Sequence, residues 1–395
     1  MNRDKIFSNL NFSSEFSVKD WDALIKLKLG KYFNDDLIFQ KNKELLRTEI
    51  INYLRFCSNH KYLKLFERTL DLYNECIKIE KQKIIKIIAD SFHFTSNTDL
   101  QWMTNVITQP DSEGFSDRDK VSYYFKVINE TLEGVFKPRF KLLNKIVQFK
   151  LNNILVDNSN YDFGKLVREF PIQFKKDFKL FLEDPVFSIS INQWRNIATH
   201  KSFTILKDNI VVEYGQGNIQ KLTLSFKDFY NIVQWTQDIY RVIRLGQVII
   251  DLNYIKEIVD ELGGTNNINV RLESTLLQII HNMQIVGFEF VSTEEQIDTF
   301  CLNVKGKIDH DLKSSLIHAS QCLDKLSCAI YDDEFIRSNF QRTKIFIVDD
   351  DQNKLASASI SIEVALRKVK SEINLDEYLS CMNFDLELTS KHSGQ

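Results

Sequence analysis

Proline removes a backbone donor and clashes with the preceding helical turn, so its frequency limits how long helices can run. This chain has 4 prolines in 395 residues, which leaves long stretches free to be helical. From about Val18 to Trp102 apolar residues recur at three- and four-residue steps, as in Leu45, Leu46, Ile50, Ile51 and Leu54, then Leu63, Leu65, Phe66, Leu70 and Leu72. Several packed helices are expected there. Hydrophobic residues at 43% and charged residues at 27% are enough to bury a core, and the length predicts two or three compact units.

Further along, Gln109-Pro110-Asp111-Ser112-Glu113-Gly114 concentrates helix breakers, so residues 1–115 read as a helical N-terminal region. Ser116 with Asp119 predicts a capped helix carrying Val121, Tyr124, Phe125, Ile128 and Leu132 and ending before Pro138. Residues 139–155 read as a second helix and 162–183 as a third that Pro171 breaks. Ser190, with Gln193 at the capping-box position, starts a fourth. A β-hairpin at about 208–225 is inserted before a helix that Ser225 and Asp228 begin, so residues 116–250 read as a bundle with a hairpin. Residues 251–395 mix helical and strand patterns, with Ile285 to Val291, Phe300 to Val304, Lys344 to Val348 and Ala356 to Ile362 as strands. The expectation is a mainly α chain closed by a smaller α+β domain.

A net charge of −3 excludes a chain that coats nucleic acid by bulk electrostatics, so any such contact must be local. The start has no apolar leader and no apolar run approaches 18 residues, which predicts a cytoplasmic protein with no membrane contact. Cysteines 57, 76, 301, 322, 328 and 381 have no metal or disulfide spacing and read as reduced, buried thiols. The acceptor patterns at Asn11 and Asn129 read as chance, and no cofactor is called for.

The residues best suited to chemistry are Arg195, Asn196 and His200. With about 100° per residue and Trp194 at 0°, Ile197 falls near 300° and Ala198 near 40°, while Asn196 and His200 share the opposite face near 200° and 240°. Arg195, near 100°, flanks that face with a long stem. His can move the proton of a ribose 2′-hydroxyl near neutral pH, and Arg can hold a phosphate bidentately. The amide of Asn196 can orient either one, and no metal is needed for that mechanism.

Arg195-Asn196-Ile197-Ala198-Thr199-His200 resembles the R-polar-x3-H motif of the HEPN-superfamily ribonucleases. The resemblance covers about residues 116–250. It implies a helical bundle with the motif on a late helix and a homodimer that joins two motifs in one metal-independent endoribonuclease cleft. Arg195 and His200 would then be catalytic and Asn196 supporting. Such enzymes serve as toxins or antiphage effectors, with RNA as substrate and a regulatory protein or phage-derived trigger as partner. Residues 251–395 would serve sensing, dimerisation or partner binding.

Lys175, Lys176 and Lys201 are the candidate RNA-binding residues, and Lys137 with Arg139 offers another basic pair. Arg55 and His60 repeat the bare spacing with Phe56 beside the arginine, and read as structural. Asp349-Asp350-Asp351 reads as a hairpin turn, since a calcium loop would need a Gly and a Glu that are missing. His318 and Cys322 read as packing residues. A competing class is a non-catalytic scaffold or partner-binding protein, in which the Arg/His pair is polar packing. A third is a substrate or neutraliser of a nucleotidyltransferase. What separates the first two is whether His200 is solvent-accessible and faces a symmetry-related His200 across a dimer groove; burial against its own core would favour the scaffold.

Overall fold

The computed structural model describes residues 4, 18–107, 114–154, 156–215, 217–264, 272–306 and 311–386. Asn11, positions 108–113 of the breaker stretch, His310 and the tail from Thr389 lie outside them. Among the described residues helix makes up 66% and strand 15%, a mainly α structure. Among the described residues no helix is long and apolar enough to cross a membrane.

In chain order the helices are Val18–Leu29 (α1), Asp36–Cys57 (α2), His60–Ile107 (α3), Asp117–Asn129 (α4), Lys137–Asn152 (α5), Phe163–Arg168 (α6), Ile172–Lys175 (α7), Lys179–Leu182 (α8) and Ile191–His200 (α9). Strands Phe203–Ile205 (β1), Asn209–Tyr214 (β2) and Gln220–Ser225 (β3) follow, then Phe226–Asn253 (α10) and Ile255–Leu262 (α11). Two compact units form: Met1–Lys31, Lys41–Thr48 and Asn269–Gln395 in one, Tyr32–Gln40 and Glu49–Ile268 in the other. The expected bundle of 116–250 falls wholly in the second unit, together with all of α3. The expected cut after 250 falls inside α10.

In the second unit α4 starts as its cap predicts, with Ser116 Oγ accepting the Asp119 N–H at 3.2 Å. It ends at Asn129, before Pro138, but no break follows. Glu130–Phe136 continues it as a π-helical turn, and Pro138 sits in the first turn of α5, where a missing N–H costs little. The stretch 162–183 is broken at Pro171, the N-cap of α7, as expected, and broken once more before α8, giving three short helices. Their phenylalanines seat them on α5: Phe140 stacks on Phe170 at 5.4 Å, and Phe136 meets Phe163 and Phe181 edge-on. The hairpin gains a third strand that the sequence reading lacked. β1 pairs antiparallel with β2, and Phe203 stacks on Phe125 of α4 at 3.9 Å.

Polar groups cross-link this core. Arg139, expected at the surface as part of a basic pair, is 2% exposed because Thr98, Thr95, Asp99 and Gln247 take up its guanidinium. Asp99 Oδ1 accepts from Arg139, from Arg244 at 2.8 Å and from the Tyr240 hydroxyl at 3.1 Å. Burial opposes ionisation of Asp99, yet Arg244 and Arg139 outweigh it and hold the carboxyl below its usual range.

The first unit holds a five-stranded sheet of Phe288–Glu295 (β4), Thr299–Gly306 (β5), Arg342–Val348 (β6), Lys354–Ser361 (β7) and Asn383–Asp385 (β8) in that order. β5 and β6 are parallel, and the other pairs are antiparallel. β5, an interior strand of the sheet, is buried from Thr299 to Val304. Asp349 accepts the Asn353 N–H at 2.8 Å and shapes the β6–β7 turn, as the hairpin reading expects. The six cysteines are free, but Cys57 and Cys381 are exposed rather than buried.

Asp251 of α10 lies close to the Asp99–Arg139 network. Burial raises its pKa to about 7, the Asp99 charge adds to the rise, and Arg139 offsets only part of it. The ordinary value is about 4, so the folded state favours protonated Asp251. Its contribution is present below that value and is lost as pH rises through about 7. Asp251→Asn is therefore expected to raise Tm relative to the natural chain at pH 8 and to lose that advantage near pH 4. A gap that stays constant with pH would contradict this assignment.

Candidate functional site

Helix α9 is anchored from below. Ile191, Trp194, Ile197 and Ala198 are buried, and Trp194 Nε1 donates to Asp184 Oδ2 at 2.9 Å. Asp184, 1% exposed, also accepts the backbone N–H groups of Val186, Phe187 and Ile189. A buried carboxylate satisfied by four N–H donors fixes the chain leading into α9 without a cation. The capping box expected at Ser190 is not formed. Ser190 Oγ donates to Asn192 Oδ1 at 2.6 Å, and Gln193 instead accepts the Gly215 N–H at 3.1 Å. That bond ties the β2–β3 turn to α9. Gly215 is required there: its φ is +111°, and a Cβ would lie 2.5 Å from the Asn218 carbonyl oxygen.

The polar residues of α9 face away from this seat. Arg195 is half-buried, its Nε 2.6 Å from Glu133 Oε1 in an ion contact whose N–H is out of hydrogen-bonding line. Glu133, in the π-helical turn, also takes Lys137 Nζ at 2.7 Å. Thr199 donates to Asn129 Oδ1 at 2.6 Å and joins the end of α9 to the end of α4. Asn196 is half-buried and His200 exposed, one turn apart, and neither side chain has a hydrogen-bond partner among the described residues. Nearby, the Lys165 N–H holds the Asp162 carboxyl below its usual range, with Arg168, Arg195 and Lys137 adding positive charge.

α9 ends because Lys201 takes the left-handed conformation (φ 55°, ψ 38°), and its N–H and that of Ser202 both reach the Ile197 carbonyl. Lys201 thus follows His200 directly and is exposed. Lys175 is exposed at the end of α7. Lys176 lines a separate cavity of about 340 Å³ with Lys61, Lys64 and Lys179, and Arg195, Asn196 and His200 are not part of that lining. Of the three lysines, the fold sets only Lys201 beside the triad. Arg55 and His60 lie on different helices with the C-cap Ser58 between them, and Arg55 is ion-paired to Asp238 at 3.0 Å.

Glu133, Asn129 and Asp184 escaped the sequence reading. The Glu133–Lys137 pair is legible as an i,i+4 contact, but nothing local points from Glu133 to Arg195. Among the described residues no three His, Cys, Asp or Glu side chains group as a metal site.

Two outcomes follow for this helix. Asp184→Ala leaves four N–H donors without an acceptor and should cost roughly 3–5 kcal/mol in denaturant unfolding. A loss under about 1 kcal/mol would remove Asp184 as the anchor. Lys201→Gly relieves the left-handed strain and should stabilise by roughly 0.5–1 kcal/mol after the added chain entropy, read as a raised Tm.

No family model, curated protein or solved structure matches this chain.

Proposed function

We propose that this chain is a metal-independent endoribonuclease of the HEPN type, with His200 moving the proton, Arg195 on the scissile phosphate and Asn196 positioning. The observation that carries the reading is the exposure of His200, one turn from Asn196, on a helix whose opposite face is locked into the core. A histidine serving as core packing would be turned inward.

In this mechanism His200 accepts the ribose 2′-hydroxyl proton, and O2′ attacks the adjacent phosphorus. The 5′ oxygen leaves and takes up a proton, which the protonated His200 of a second copy supplies across a homodimer. The products are a 2′,3′-cyclic phosphate and a 5′-hydroxyl end. Arg195 stabilises the charge added to the phosphoryl oxygens. To do so its guanidinium must exchange Glu133 for phosphate, so Glu133 acts as an internal counter-ion that the substrate displaces. A toxin or antiphage effector whose partner controls that exchange fits this arrangement. The second reading, a non-catalytic scaffold or partner-binding protein, draws on the same Glu133–Arg195 contact, which treats Arg195 as a structural ion pair.

Purified protein incubated with mixed RNA in excess EDTA tests the reading. Cleavage should survive EDTA and His60→Ala, and fall by at least about a hundredfold with His200→Ala or Arg195→Ala. Glu133→Gln should preserve or raise the rate by freeing Arg195. Equal cleavage by all variants would sink the assignment. No cleavage by any, Glu133→Gln included, would favour the scaffold.

A further inference from the structure

A cavity of about 330 Å³ opens beside the π-helical turn, between α3 and α5. Lys137, Lys141 and Lys145 line it from successive turns of α5. Pro138 and Leu142 add apolar wall, Ser91 and Phe94 come from α3, and Asn158 and Ser159 from the loop after α5. Three lysines at four-residue spacing on one helix face repel one another unless an anion lies among them. Burial and the charges of Lys137 and Lys145 lower the pKa of Lys141, as such crowding requires. Two carboxylates face the three lysines, Asp157 and the cavity-lining Glu133, and Glu133 is already shared between Lys137 and Arg195.

Two further features point to what the cavity takes. Asn158 is fully buried. Its Nδ2 donates to the Lys141 carbonyl at 2.9 Å and to Asn144 Oδ1 at 3.3 Å, yet its Oδ1 has no hydrogen-bond partner. A buried acceptor left without a donor costs roughly 1–3 kcal/mol, which a ligand N–H or O–H would recover. Phe94 stands 64% exposed at the rim, an aromatic face left in water beside a basic row. Stacking on such a face with phosphate held by nearby lysines is how proteins hold single nucleotides without reading sequence. The volume is at the lower end of the roughly 300–1,000 Å³ range of small-molecule sites, room for one nucleotide.

We propose that this cavity binds a nucleotide, with the base against Phe94 and Leu142, the phosphate on the Lys137–Lys141–Lys145 row, and a ligand N–H or hydroxyl on Asn158 Oδ1. The nucleotide is either free or one unit of an RNA strand. The assignment does not depend on catalysis at His200. Occupancy also reaches that site, because phosphate drawing Lys137 away from Glu133 would tighten the hold of Glu133 on Arg195.

The test is calorimetric titration of the full chain, as His200→Ala to prevent turnover, with AMP, GMP, CMP and UMP, with adenosine, with inorganic phosphate, and with an eight-residue oligouridylate. Saturable binding of a mononucleotide, weakened at least tenfold by Lys141→Ala/Lys145→Ala and by Phe94→Ala and kept by Lys141→Arg, is the expected result and identifies a free ligand. Binding of the oligonucleotide alone with the same dependence identifies the strand. Melting curves of each variant keep unfolding separate from lost affinity. Three results would overturn the proposal: no saturable binding by any probe, binding indifferent to these substitutions, or phosphate binding as tightly as every nucleotide. A catalytically inactive chain that still binds nucleotide leaves this inference standing, and an active one that binds none removes it alone.

Discussion

The second unit depends on a charged side chain placed where charge is most costly. The Arg139 guanidinium is almost fully buried, and it survives there because Asp99 neutralises it while Thr98, Thr95 and Gln247 take its remaining N–H groups. Asp99 also receives Arg244, which continues to Glu49 at 2.6 Å, and Gln247 reaches the Tyr73 hydroxyl at 3.0 Å. Helices α3, α5 and α10 therefore converge on one carboxylate and one guanidinium, and α2 joins them through the Arg244–Glu49 pair. Removing Asp99 would leave Arg139 desolvated and without its counter-charge, so the helices are held in a single register where apolar packing alone would tolerate sliding.

That rigidity reaches the candidate site through α5 and the π-helical turn before it. The turn carries Glu133 at a position that faces both Lys137 and Arg195, and such turns are common where a helix must re-aim a side chain. On the other side, Asp184 fixes Trp194 while Gln193 and Thr199 tie α9 to the β2–β3 turn and to α4. α9 is thus held along its length, yet its Asn196 and His200 edge faces solvent. A held helix with an open polar edge suits a site that must keep its geometry while a large ligand approaches.

Much of this was legible in the chain because helices advertise themselves locally. The sparse prolines, the Ser116 and Ser225 caps and the apolar steps of α9 are short-range signals, and each marks an element that forms. The polar face of α9 follows from helical geometry alone, which is why Arg195, Asn196 and His200 could be singled out together. Where local rules competed with distant partners they failed. Gln193 looked like a capping residue until a turn 22 positions later claimed its oxygen, and Arg139 looked solvated until Asp99 and Gln247 enclosed it. Strand β1 was missed because three residues carry no period, and Phe203 is held by a ring on α4.

By itself, then, the sequence determined that the chain is mainly helical, where most helices begin, and which face of α9 is polar. All of these follow from interactions a few residues apart. Tertiary structure alone decided that Glu133 would meet Arg195, that Asp184 would anchor Trp194, and that three lysines, a phenylalanine and an unsatisfied asparagine would surround one cavity. Those depend on contacts between segments remote along the chain, chosen by which buried charges and polar atoms could satisfy one another, and no local periodicity records that choice.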